Sequence, residues 1–159
     1  MDNNEQRFKE MICRHKDFIW HICESYRMGA AWEVCDMFQE VLCMLWQYYP
    51  QFDGRSGERT WIYKVANNTL ISLKRRAINR QQFDDNIPKQ CHTDDKAEYN
   101  DLMRLIETLE EKDYSIVKAH LDGFDYAEIA EITGQTVAAV SMRLSRAKQK
   151  LRKMYEDGK

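Results

Sequence analysis

The sequence predicts an all-α protein made of two small helical domains, and three observations carry that prediction. Only 2 Pro and 6 Gly occur in 159 residues, while Ala, Leu, Glu, Lys, Gln, Arg and Met fill long stretches. That composition suits helices and not the turn-rich chain of a β-sandwich or barrel. Apolar residues recur at the three- and four-residue spacing of one helix face through most of the chain. One stretch, residues 81–100, loses that spacing, holds Pro88 and clusters of acidic and amide side chains, and reads as a linker between modules 1–80 and 101–159. With 43% hydrophobic and 31% charged residues, the chain has apolar material for a core in each module and too much for general disorder.

In the first module, Phe8, Ile12, Ile19, Ile22, Cys23 and Tyr26 mark one amphipathic helix, and a break falls at Met28 to Ala30. Val34, Phe38, Val41, Leu42 and Leu45 mark a second. Pro50 and the polar stretch Gln51 to Glu58, with Gly54 and Gly57, interrupt the pattern. A third helix runs from about Arg59 to Arg76 through Trp61, Ile62, Val65, Leu70 and Leu73. The second module opens near Asp101 with Leu102, Leu105, Ile106 and Leu109, and continues as helices over 114–121, 125–133 and 136 to about 154. No internal repeat relates the modules.

Charge is uneven along the chain. The net value is only -2, but residues 55–80 carry seven bases (Arg55, Arg59, Lys64, Lys74, Arg75, Arg76, Arg80) against Glu58 alone, and residues 1–54 carry five bases and nine acids. A second strip, residues 140–154, holds six bases (Arg143, Arg146, Lys148, Lys150, Arg152, Lys153) and no acid. Two cationic strips in a slightly acidic protein fit tracks for a phosphate backbone, whose counterions they would release; a solvated helix face explains either strip taken alone. The five cysteines include no CxxC, and four of them (Cys13, Cys23, Cys35, Cys43) sit in apolar helical surroundings, as expected of small reduced core residues. Cys91-His92 lacks partners at metal-ligand spacing, so no metal is expected. The polar start MDNNEQRFKE and the absence of a long apolar run imply no membrane insertion and a cytoplasmic protein. No phosphate-cradling glycine loop or nucleophile with an evident base is present, so neither catalysis nor a cofactor is expected.

The informative connection lies between the last two helices. Asp125 with Glu128 three residues on forms a variant capping box, Gly134 supplies a left-handed helix end, and Thr136 caps the next helix. Ala130, Gly134, Val137 and Val140 fall where a helix-turn-helix needs a small crossing residue, a turn glycine and branched residues seating the second helix. With that face buried, Ala138, Ala139, Ser141, Met142, Ser145 and Arg146 point outward, small enough for close approach to a major groove. Arg143, Lys148, Arg152 and Lys153 are placed for phosphates, and Arg146 serves either base readout or phosphate contact. An ordinary αα-hairpin with a basic tail is the plainer alternative.

Together the two modules resemble a sigma-70 family factor of the extracytoplasmic-function type, reduced to regions 2 and 4. Asp36-Met37-Phe38-Gln39-Glu40-Val41 resembles the region 2 helix that docks on the β′ clamp helices of RNA polymerase. Phe52-Asp53-Gly54-Arg55-Ser56 resembles the following loop, and Arg59 to Asn68, ending in Lys74-Arg75-Arg76, resembles the promoter-melting helix. Tyr126 to Glu131 and Val140 to Leu151 resemble region 4. The resemblance implies that Asp36, Phe38, Gln39 and Glu40 bind core polymerase, with the β flap as a further polymerase contact. It implies that region 2 captures the minus-ten element through Phe52, Asp53, Arg55, Ser56, Arg59, Trp61, Lys64, Asn68, Arg75 and Arg76. Region 4 would then read the minus-thirty-five element through Thr136, Ala138, Ala139, Ser141, Met142, Arg143, Ser145, Arg146 and Lys148, and an anti-sigma factor is expected as a further partner. Two departures stand out: Glu58 replaces a usually apolar residue, and Ser141 and Met142 occupy positions that are commonly basic or polar. A helix-turn-helix regulator without stable polymerase binding, or an interaction module for acidic partners, would explain the helices without the polymerase contact.

Overall fold

A computed structural model describes residues 2–26, 32–81 and 97–158, and among these the regular elements are all helical. The chain divides into two compact units, one up to Cys91 and the other from His92. The break expected at Met28 to Ala30, and the linker apart from its ends, lie outside the described residues.

The first unit is a three-helix bundle in which each helix packs on the other two: α1 (Asn3–Ser25), α2 (Val34–Tyr48) and α3 (Glu58–Gln81). Its core joins Met11, Ile19, Ile22 and Cys23 of α1 to Met37, Val41 and Leu45 of α2 and Ile62, Tyr63, Ala66, Leu70 and Leu73 of α3. The buried face of α3 is wider than a single stripe and takes in Thr60 and Asn67. Asn67 accepts a hydrogen bond from the Tyr26 hydroxyl, which satisfies both buried polar groups. The helix also runs beyond the expected end at Arg76, carrying Ala77 into the core before it stops at Gln81. Between α2 and α3, a 3-10 turn at Tyr49–Gln51 places Pro50 where its missing N–H costs nothing, and the loop 52–57 follows.

The second unit contains α4 (Ala97–Glu107), α5 (Glu111–Leu121), α6 (Tyr126–Thr133) and α7 (Val137–Asp157). Helix α4 begins inside the stretch read as linker; among its described residues Ile106 is buried as expected, with Leu109 just beyond the helix, whereas Met103 is buried in place of Leu102, which is exposed. Helix α5 starts three residues earlier than expected, with Glu111 and Asp113 in its first turn and His120 in its last, the charge order its dipole favours. Every residue from Tyr114 to Ala119 is buried, because α4, α6 and α7 all pack around this helix. Lys118 is among them, its ammonium 5.7 Å from the centre of the Tyr114 ring, and burial pushes the Tyr114 hydroxyl above its ordinary pKa.

One expectation about the cysteines fails. Cys23 is fully buried, and desolvation raises its thiol to about 12, but Cys13, Cys35 and Cys43 are exposed. Helical spacing had put them near apolar neighbours in sequence; the bundle turns those positions outward. Cys91 lies outside the described residues.

Candidate nucleic-acid and polymerase interfaces

On the first unit, the expected polymerase helix presents Asp36, Gln39 and Glu40 to solvent, while Met37 and Val41 on its other face are buried. Phe38 is half-buried, its ring centre 5.5 Å from that of Trp20 on α1, so it is both a bundle contact and an edge of the exposed face. Glu40 turns toward α3. It lines a groove of about 490 Å³ whose walls also hold Trp61, Lys64, Asn68 and Arg76. The structure thus brings four of the residues expected to touch DNA to one concavity with one expected to touch polymerase.

The loop 52–57 is tied down from both ends. Gly54 adopts φ 76, a left-handed conformation that permits the tight bend. Asp53 accepts the Arg55 N–H at 3.0 Å and pairs with the Arg55 guanidinium at 3.2 Å, an Asx turn closed by its own cation. Phe52 packs on Trp61 with ring centres 4.8 Å apart, and Tyr49 touches both rings. Trp61 is half-buried: it belongs to this aromatic cluster and lines the groove at once. Ser56 is half-buried beside them in sequence.

At the start of α3, Glu58 accounts for the departure noted in the sequence. Arg14 and His15 of α1 hold its carboxylate at 2.8 and 2.9 Å. Partial burial pushes the Glu58 carboxyl up, but the hydrogen bonds from His15 and Arg14, with their charges, outweigh burial and leave it below its ordinary value. An acid at the first position of a helix is favoured by the dipole, and this one also fastens the end of the loop to α1. Its neighbour Arg59 is exposed but stacks over Phe18 at 4.5 Å, so its guanidinium serves the bundle too. Lys64, Asn68, Arg75 and Arg76 are exposed along the same helix.

In the second unit the expected local chemistry is in place. Asp125 accepts the Glu128 N–H at 2.8 Å, and Glu128 accepts the Asp125 N–H at 2.9 Å, a complete capping box. Gly134 ends α6 at φ 69, with the Gln135 N–H donating to the Ala130 carbonyl, and the Thr136 hydroxyl accepts the Ala139 N–H. Helices α6 and α7 pack together through Ile129, Ala130, Ile132, Val140, Leu144 and Ala147. The result is a helix-turn-helix with α7 second.

The outer face of α7 agrees with expectation at Ala138, Ser141, Met142, Ser145, Arg146 and Lys148, all exposed, and Thr136 is exposed at the cap. Ala139 is half-buried. Arg143 is also half-buried and binds Asp113 of α5 at 3.0 Å, so it braces α7 against the central helix. Val137 differs most from its expected role: it is 48% exposed and does not seat the helix. Its Cβ leans toward the helix N-terminus, where no earlier turn lies beneath it. Beyond this face, Lys150, Arg152 and Lys153 continue the exposed cationic strip. Next to it, partial burial and then the charge of Lys148 hold His120 below its ordinary pKa.

Among the described residues no cluster of His, Cys, Asp and Glu could hold a metal, and no helix is long and apolar enough to cross a membrane.

Comparison with known proteins agrees with this geometry. The family model for sigma-70 region 2 matches residues 11–80, and that for sigma-70 region 4 matches residues 99–151. Among curated proteins, the ECF RNA polymerase sigma factor SigW of Bacillus subtilis is 24% identical over 176 residues, covering 97% of this chain and 91% of its own. The ECF RNA polymerase sigma-E factor of Escherichia coli is 26% identical over 164 residues, covering 92% of this chain and 85% of its own. Two solved structures share the fold, each with a TM-score of 0.70. The sigma factor RpoE of Bartonella quintana, solved with the anti-sigma factor NepR, is 19% identical and covers 95% of this chain and 98% of its own. CnrH, solved with the cytosolic domain of CnrY, is 21% identical and covers 99% and 92%. The helix-turn-helix and the bundle before it are regions 4 and 2 of a transcription initiation factor, a class without catalysis of its own. The chain belongs to the sigma-70 family, in its extracytoplasmic-function group.

Proposed function

We propose that this protein joins core RNA polymerase and directs it to a particular set of promoters, opening them by binding alone. The observation that carries this reading is the presence, in one chain and in this order, of a region 2 bundle and a region 4 helix-turn-helix whose outer face is open beside a cationic strip. Asp36, Phe38, Gln39 and Glu40 form the polymerase contact on the β′ clamp helices, and the β flap meets the protein elsewhere. The loop residues Phe52, Asp53, Arg55 and Ser56, with Trp61 and Asn68, receive bases of the minus-ten element. Arg59, Lys64, Arg75 and Arg76 hold the strand backbone.

Energetically, strand opening needs no reaction. Each unstacked DNA step costs about 1.4 kcal/mol, and a base stacked on an aromatic side chain recovers about 1–3 kcal/mol. A cluster such as Tyr49, Phe52 and Trp61 therefore suffices to hold one or two bases once the duplex breathes, with the cations adding a salt-dependent backbone term. On α7, Thr136 fixes the helix start, Ala138, Ala139, Ser141, Met142, Ser145 and Arg146 face the minus-thirty-five groove, and Arg143 and Lys148 lie toward phosphates.

In this reading the protein works in the cytoplasm and is held in check by an anti-sigma factor, a class of partner with which the similar sigma factor RpoE was solved. The test is transcription in vitro: purified protein plus core polymerase should yield transcripts from discrete genomic promoters, and core alone should not. A protein that leaves core polymerase unable to initiate anywhere contradicts the proposal.

A further inference from the structure

The outer face of α7 has an unusual composition for a helix meant to read bases. Its residues fall into two adjacent stripes, Val137–Ser141–Ser145 and Ala138–Met142–Arg146, each spaced by one turn. Val137 is 48% exposed and Met142 55% exposed, and both lie in the first two turns, the end of a recognition helix that contacts base edges. Single exposed apolar residues are ordinary on a protein surface. These two are set apart by what surrounds them: small Ala138 and Ser141 on the same face, then exposed Arg146, Lys148, Lys150, Arg152 and Lys153 with no acid from 140 to 154. That charge complements a polyanion and no apolar protein partner.

From Val137 to Ser145 this face offers no side chain able to make a bidentate contact with a base, because the one guanidinium in that span, Arg143, is bound to Asp113. What remains for readout is apolar contact and two serine hydroxyls, which accept either partner. The apolar group that the major groove displays is the 5-methyl of thymine. We propose that Val137 and Met142 are specificity-determining residues that read thymine 5-methyl groups in the upstream duplex element. The proposal rests on the assignment of region 4 to duplex recognition. Five residues, about 7.5 Å along the helix axis, separate the two side chains, so they meet different base pairs.

The test uses the full chain with core polymerase. An upstream element is selected from a randomised duplex library, and each thymine in it is then replaced by deoxyuridine, which removes only the methyl group. At two positions affinity should fall about fourfold, the factor corresponding to ~0.8 kcal/mol for one buried carbon. One of these losses should vanish in Val137→Ala and the other in Met142→Ala. Both residues are exposed, so the variants should melt as the parent does. The proposal is overturned if base-pair changes in the element matter but deoxyuridine is tolerated everywhere, if the selected element lacks thymine, or if both sensitivities persist in the variants. If no change anywhere in the element alters binding, the assignment of region 4 to duplex recognition falls, and this inference falls with it.

Discussion

Gly134 gives a prediction whose size follows from the geometry. It closes α6 at φ 69 and ψ 24, and a Cβ built there meets nothing within 4 Å. Alanine at this position therefore suffers no steric clash, only the left-handed backbone penalty of about 1–2 kcal/mol. Reduced freedom of the unfolded chain offsets about 0.4–1 kcal/mol of that, leaving a net loss near 1 kcal/mol. In a helical unit of this size such a loss lowers the melting temperature by about 4–8 °C. The sequence supplies its own assay, since all four tryptophans (Trp20, Trp32, Trp46, Trp61) precede residue 81. Tryptophan fluorescence follows the first unit and circular dichroism follows both. Gly134→Ala should shift the component of the dichroism melt that fluorescence does not see, and Gly134→Asn should shift it less, because asparagine tolerates left-handed backbone. An unchanged dichroism melt, or a moved fluorescence melt, refutes the reasoning.

Other outcomes follow from the same contacts. Alanine at both Gln39 and Glu40 should weaken binding to core polymerase by about tenfold, ~1.4 kcal/mol, in a pull-down titration while both melting components stay in place. Arg146→Ala should cost about 1–3 kcal/mol of upstream-element affinity and relax preference at one base pair if it reads a base, with polymerase capture unaffected in the same titration. Lys148→Ala should lower affinity uniformly across sequences and reduce the salt slope of DNA binding by about one, measured between low and physiological salt. The Glu58 contacts stabilise the first unit fully above the ordinary glutamate pKa, and this stabilisation is lost as pH falls through the lowered value of the folded state. Acid titration followed by tryptophan fluorescence should therefore show a smaller acid-side loss in Glu58→Gln than in the parent, and identical profiles would refute the assignment.

The parts of the fold legible in the sequence were those governed by neighbours a few residues apart. The capping box of Asp125 and Glu128, the left-handed Gly134 and the Thr136 cap each depend on a span of about one turn, and all three occur as read. Much of the apolar stripes of α1 and α2 was legible for the same reason, with Ile19, Ile22 and Cys23, and Val41 and Leu45, buried as read. Helix α3 was less so, because it buries Thr60, Tyr63 and Asn67, which no single apolar stripe includes. Pairings between distant residues were not legible at all: Glu58 with Arg14 and His15, Arg59 over Phe18 and Arg143 with Asp113 span 30 residues or more. Charge runs located the cationic strips but not which cations the fold would engage for itself. Val137 escaped because branched apolar character suggests burial, whereas the first position of a helix has little beneath it.

Helix α7 is anchored by Val140, Leu144 and Ala147, while Ala138, Ser141, Met142, Ser145 and Arg146, the side chains proposed to face DNA, are exposed and lie off that buried stripe. A lineage of such proteins is thereby free to rewrite which genes it serves, one surface letter at a time, without endangering the scaffold. Duplicated copies within one cell could drift to separate gene sets while remaining interchangeable as folded bodies.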